Sequence, residues 1–328
     1  MSMKTNLSSS RSNVTSDIPT GASASGPTIL LPDQWKKRWD AHRATVHVLT
    51  KTHRERSSRH ERHPVWDFIF HYYPVTPGKL SRWSPGQGVY LLDAPSIKYF
   101  APVGVEDIPS AAFDNSNLTA GELHGHTITT LDTAQLWGRR GKTLSYVENI
   151  LARTLAKPPH FDCFGLHEWA MVYKGKPRHP EPLRLGVAGT NDVVETHSIR
   201  CTHYDAYRFF TPSAGPRNQF HPRRETQPLC EQGGCLHANM DLYKWATKLE
   251  TLVPGELWLD TFRLACDIRK LDMRASPYDL TAWGFTPVPI ETPQGKAHYV
   301  SAQREFHQRA HYVRNKLLSI IRTSHVTL

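Results

Sequence analysis

Trp35, Trp39, His42, Val46, Leu49 and His53 follow one another at steps of four, three, four, three and four. That spacing keeps side chains on one face of a helix and scatters them over both faces of a strand. Pro32 and Asp33 precede the run as a start signal. The period returns in three later stretches. In 236–249 it turns Leu236, Met240, Tyr243 and Leu249 inward. In 255–275 it selects Trp258, Phe262, Ala265, Ile268 and Leu271. In 302–322 it selects Phe306, Val313, Leu317 and Ile320, leaving Arg304, Arg309, Arg314 and Lys316 outside. A further helix, TLSYVENILARTLA, is expected from Thr143 to just before Pro158. Strand-like runs are fewer: VYLL, IKYF and the longer VVETHSIRCTHYDAYRFF over 193–210. The chain therefore reads as mainly α with a minor β element.

Residues 63–89 are dense in aromatics (Trp66, Phe68, Phe70, Tyr72, Tyr73, Trp83) and then in turn formers (Pro74, Pro77, Pro85, Gly86, Gly88). A short buried helix followed by an ordered loop is expected. Residues 174–190 read as a Pro- and Gly-rich connector, and 211–235 as a long loop. Residues 1–27 are Ser, Thr, Asn and Gly with few apolar anchors, so a disordered tail is expected there. The remainder, 28–328, is expected to form a single compact helical domain with long ordered loops.

No run approaches the roughly 20 apolar residues of a membrane span, and the first residues lack the apolar centre of a secretory signal. Five cysteines form no dense pattern, which points to reduced thiols and a cytoplasmic location. The net charge of +10 favours phosphate-rich partners, nucleic acid among them.

The chemistry concentrates in short clusters. PPHFDCFGLHEWAMVY (158–173) sets His160, Asp162, His167 and Glu168 in an apolar run. Ionisable groups in such surroundings need partners. HYD supplies His203 and Asp205, with His197 before them; HANMD supplies His237 and Asp241 on one helix face. DIRKLDMR adds Asp267, Arg269, Asp272 and Arg274, read as intrahelical ion pairs. Imidazole and carboxylate together suit zinc, iron or manganese, so His160, Asp162, His203, Asp205 and His237 are the expected ligands of a divalent ion, iron or zinc. Cys230, Cys235 and His237 form a weaker zinc pattern. No phosphate-binding glycine loop, G-x-S-x-G or G-x-G-x-x-G is present, which argues against nucleotide-driven and serine-hydrolase chemistry.

Four separated blocks, HPVWDFIFHYYPVTPGKLSRWSPGQGV, HFDCFGLHEWAMVY, EQGGCLHANMDLYKWATKL and LDMRASPYDL, resemble a bacterial, largely actinobacterial family labelled in genomes as 3-methyladenine DNA glycosylase. The likeness covers roughly residues 30–320. It implies double-stranded DNA as the partner and release of N-alkylated purines such as 3-methyladenine from it, without a required cofactor. The Leu-Pro-Gly-x-Gly turn of a helix–hairpin–helix is incomplete here: LVPGEL has Glu256 and no second glycine. Under this reading a carboxylate, Glu168 or Asp162, positions water or stabilises the sugar cation. Trp169, Phe164, Tyr173 and Tyr204 stack on the extruded base. The alternative is a metal-dependent oxygenase or hydrolase acting on a small molecule through the His/Asp clusters. Both readings expect the distant clusters to meet in one aromatic-walled cavity.

Overall fold

The computed structural model describes residues 26–326. The tail expected over 1–27 lies outside these residues except for Gly26 and Pro27. Strand β1 (Thr28–Leu30) leads into helix α1 (Pro32–Ser58), then α2 (Asp67–Tyr72) and α3 (Pro77–Leu80). Strands β2 (Val89–Leu92) and β3 (Phe100–Pro102) follow, then α4 (Ser110–Ser116), β4 (Ile128–Leu131) and α5 (Thr133–Leu155). Short helices α6 (Leu166–Ala170), α7 (Gly186–Thr196), α8 (Tyr204–Tyr207) and α9 (Gln227–Cys230) cross the middle. The chain then runs through α10 (Leu236–Met240), α11 (Leu242–Leu249), α12 (Gly255–Ala275) and α13 (Pro293–Val326). The fold is mainly α with a minor β element, as the periodicity predicts.

The four strands form one sheet in the order β1-β2-β4-β3. β1 runs parallel to β2 with Thr28 opposite Val89; β2 and β3 pair antiparallel with β4. One small cluster under α4 joins Ile29, Leu92, Ile108, Ala112, Leu123 and Ile128. A second joins Trp35 of α1 to Trp83, Val89, Leu91 and Ile97. The main core lies among the later helices. α12 sits at its centre, burying Leu259, Phe262, Leu264, Ala265, Ile268 and Leu271. A helix buried around most of its circumference is a core helix rather than a surface one.

α12 occupies its expected range, and the inward residues of 236–249 are all buried. Several expectations are corrected. The stripe of α1 drifts to Trp35, His42, Val46 and Thr50, leaving Leu49 exposed, because a 3.6-residue turn moves away from a strict four-three alternation. α5 begins ten residues before Thr143, where the Asp132 carboxylate accepts a hydrogen bond from the Gln135 amide and caps the helix. IKYF is mostly a turn into β3. The segment 193–210 is no strand: α7 runs to Thr196 and α8 begins at Tyr204, with a single bridge from Ile199 to Asn218 between. The helix expected over 236–249 breaks at Asp241 into α10 and α11. Arg314, expected outside, is buried and donates to the Asn239 side chain at 2.7 Å. Asp267 pairs across to Arg309 on α13 at 2.8 Å instead of along its own helix.

All five cysteines are free thiols. Among the described residues no helix is long and apolar enough to cross a membrane.

Candidate metal centre

The approach to the site begins in a sharp reversal. Phe164 and Gly165 both have positive φ, 46° and 71°. A Cβ at Gly165 would stand 3.3 Å from the Tyr299 ring, so glycine serves both the backbone conformation and the close approach. The turn swings the chain from a partly exposed stretch into the core. His160 is exposed, while Leu166, His167, Glu168, Trp169 and Ala170 of α6 are all buried.

A second loop lies against the first. Gln232 Oε1 accepts from the His160 amide at 2.8 Å and from the Gly234 amide at 2.6 Å. The Gln303 side chain on α13 donates to the Gly234 carbonyl at 2.6 Å. These bonds fix the start of α10, which then presents His237 and, at its C-terminal end, Asp241. α12 contributes Arg269 and Asp272, one turn apart.

Two groups of ligand-type atoms result: His167, His237 and Asp272, and His203, Glu231 and Asp241. Within each group one ligand atom from every residue lies within 4.8 Å of the others. In the first, His167 Nε2 stands 2.9 Å from Asp272 Oδ1 and His237 Nε2 4.0 Å from Asp272 Oδ2. The rings of His167 and His237 meet edge-on with centroids 4.3 Å apart. Neither His167 Nε2 nor Asp272 Oδ1 has an aligned hydrogen-bond partner, although they are close and buried. His167 Nε2 and Asp272 Oδ1 thus converge as ligand-type atoms without a well-aligned bond between them.

The electrostatics match. Burial, then the neighbouring His167, hold the His237 imidazole well below its ordinary pKa of 6.5. It is therefore neutral, the form that ligates. Burial opposes ionisation of Asp272, yet His167, His237 and Arg269 together hold its carboxyl below the usual carboxylate range. Arg269 Nη1 donates to Asp272 Oδ2 at 3.0 Å and to Glu168 Oε1 at 3.1 Å, orienting the first and neutralising the second. In the other group, burial of His203 is outweighed by Glu231 and Asp241, and its pKa is raised.

An enclosed cavity adjoins the first group, lined by His167, His237, Cys163, Cys201, Cys235 and Tyr299 among others. Its volume of about 10 Å³ suits one water-sized ligand and no nucleobase. Burial raises all three thiols, Cys201 to about 12, so they are not ready thiolates.

The structure thus separates the expected site residues. His203 and His237 come together, their rings stacked at 5.4 Å. Glu168 reaches Asp272 of the first group through Arg269. His160 and Asp162 stay outside both groups; Asp162 is half-exposed and pairs with Arg200 at 2.8 Å. Asp205 is buried, but three cations take its carboxylate: Lys244 at 3.2 Å, Arg208 at 3.1 Å and Arg224 at 3.5 Å. Cys230 approaches Thr226, not Cys235 and His237. The four aromatics expected as walls do not line this cavity. Trp169 is sealed in the core with its indole donating to the Ala275 carbonyl at 2.9 Å. Tyr173 is buried and donates to Glu195 at 2.7 Å. Phe164 is half-buried beneath Lys296, and Tyr204 beneath Arg224.

Sequence reasoning missed Asp272 and Glu231 as ligand-type residues, and ranked His167 below His160. The signal for Asp272 is its position: with Arg269 it falls on the face that carries Ile268, Leu271 and Ala275, where a solvated ion pair has no place. Glu231 carries no comparable mark. Comparison of the chain with family models, with curated proteins and with solved structures finds no match.

Proposed function

We propose that the chain is a metal-dependent enzyme acting on a small molecule, with a divalent ion, zinc or iron, held by His167, His237 and Asp272. The observation that carries this reading is the convergence of two imidazoles and a carboxylate beside a cavity of one-ligand size, with His167 and Asp272 buried and not aligned on each other and His237 partly buried. Two His and one carboxylate leave coordination positions open. A bound ion would supply Lewis acidity and an activated water or oxygen there. The protein's own part is to hold Asp272 ionised through His167, His237 and Arg269, to keep His237 neutral, and to shield the position from bulk water. The test is metal content and thermal stability of the purified protein. We expect at least one ion per chain, a melting temperature that falls on chelation and recovers on adding Zn²⁺ or Fe²⁺, and loss of that recovery in His237→Ala. Protein that holds no ion after reconstitution, and melts identically with and without chelator, would overturn the reading.

A second reading, release of N-alkylated purines from double-stranded DNA, draws on the four-block resemblance and the net charge of +10. A groove of about 240 Å³ lined by Arg43, His47 and Arg54 offers positive charge to a phosphate. In this reading Glu168 acts on the sugar once Arg269 releases it. The check is base release from methylated duplex DNA, lost in Glu168→Gln with DNA binding retained. Full release by that variant would remove Glu168 from the role.

A further inference from the structure

We infer a second ion site adjoining the first: His203, Glu231 and Asp241 bind a divalent cation, making the centre a two-metal one. The inference rests on the metal reading above and extends it. All three residues are buried, His203 to 1% exposure, and their ligand atoms lie within 4.8 Å of one another. His203 Nδ1 is 3.0 Å from Glu231 Oε1 and its Nε2 is 3.5 Å from Asp241 Oδ2. Neither nitrogen has an aligned hydrogen-bond partner. An imidazole buried only to make a salt bridge would point at least one N–H along a carboxylate lone pair. Here both carboxylates flank the ring nitrogens without lining up with them.

Each carboxylate is oriented from behind by a neutral donor. The Tyr73 hydroxyl donates to Asp241 Oδ1 at 2.9 Å, and the Gln227 amide donates to Glu231 Oε1. Such outer partners fix ligand direction. The two groups are joined by α10, which places His237 in the first and Asp241 in the second, four residues and about 6 Å apart along the helix axis. The stacked rings of His203 and His237 form the wall between them.

Lys244 lies against the same group. Its ammonium touches Asp241 and lies 3.2 Å from Asp205. A cation arriving at Asp241 replaces the ammonium there, and Lys244 keeps Asp205 as its partner. The donor set is nitrogen and oxygen with no sulfur, which selects Zn²⁺, Mn²⁺ or Fe²⁺ over Cu⁺.

The experiment is metal stoichiometry by elemental analysis of the full chain, stripped with chelator, reloaded with Zn²⁺ or Mn²⁺ and desalted. We expect two ions per chain in the parent protein and one in each of His203→Gln, Glu231→Gln and Asp272→Asn. Two ions retained in His203→Gln would overturn the assignment. So would a parent protein with one ion that Asp272→Asn loses and His203→Gln keeps; that result leaves the first site standing and marks the second as a salt-bridge cluster. No ion in the parent protein would remove both sites. Should the variants fail to fold, titration of the stripped parent protein with Co²⁺, followed by its visible absorption, decides: a break at two equivalents supports the inference and a break at one overturns it.

Discussion

Replacement of Arg269 by Met isolates the polar connection at the heart of the fold. The guanidinium is 2% exposed, bridges Glu168 at 3.1 Å and Asp272 at 3.0 Å, and lies 4.1 Å from the centre of the Phe68 ring. Methionine keeps most of the packing against Phe68 and α12 but removes the charge. Two buried carboxylates then face each other without a cation. Breaking a buried pair by removing one partner costs about 3–5 kcal/mol, against a total stability of about 5–15 kcal/mol for a typical protein. Urea unfolding of chelator-treated protein at pH 7 is the assay, so that no ion compensates the loss. The double variant Arg269→Met/Glu168→Gln should regain part of the stability, because one stranded charge has gone. A loss under about 1 kcal/mol for Arg269→Met, or no recovery in the double variant, would refute the claim that Arg269 is the counter-charge of this pair.

Two other perturbations test the surroundings. His63 Nδ1 accepts from the Val65 and Trp66 amides, and burial pushes its pKa from 6.5 down to about 4. The unfolded chain therefore takes up the proton first, so stability present above pH 6.5 should fall by about 1–3 kcal/mol between pH 6.5 and 4. His63→Asn, which keeps an acceptor but does not titrate, should flatten that slope in denaturant titrations; an unchanged slope would clear His63. Gly234→Ala would place its Cβ 2.1 Å from the His160 carbonyl oxygen, a backbone atom. The two loops must part, and the urea midpoint should drop by an amount worth about 1–3 kcal/mol; an unchanged midpoint would mean that the loops are not pressed together as described.

The long amphipathic helices are legible in the sequence because their apolar stripes persist over several turns, as in α12. The errors arise where local chemistry competes with the tertiary environment. Val193, Val194 and Thr196 favour strands intrinsically, yet α7 buries Val193 and Val194 on a helical face. Gly138 and Gly141 disguise the first half of α5, though neither is in a special conformation there. The candidate centre is half legible. Alternation of His and Asp with aromatics marks the right neighbourhoods, but spacing cannot tell which residue of HFDCFGLHE lies beyond the turn at Gly165. His160 and Asp162 precede it and face solvent or Arg200; His167 and Glu168 follow it and are buried. Arg269 and Asp272 stand three positions apart on α12, but their further partners are set by the packing of α6 and α10 on α12, which no local spacing encodes.

The bridge from Glu168 to Arg269 spans 101 positions of chain, and the loop pairing of His160 with Gln232 spans 72. A centre assembled from such remote pieces has no precursor in any short fragment. Loop closure on that scale is slow and comes after the local helices form. An ion that preferred the assembled form, as proposed above, would therefore act as a latch on the finished molecule, lengthening its native lifetime more than it hastened the search for it.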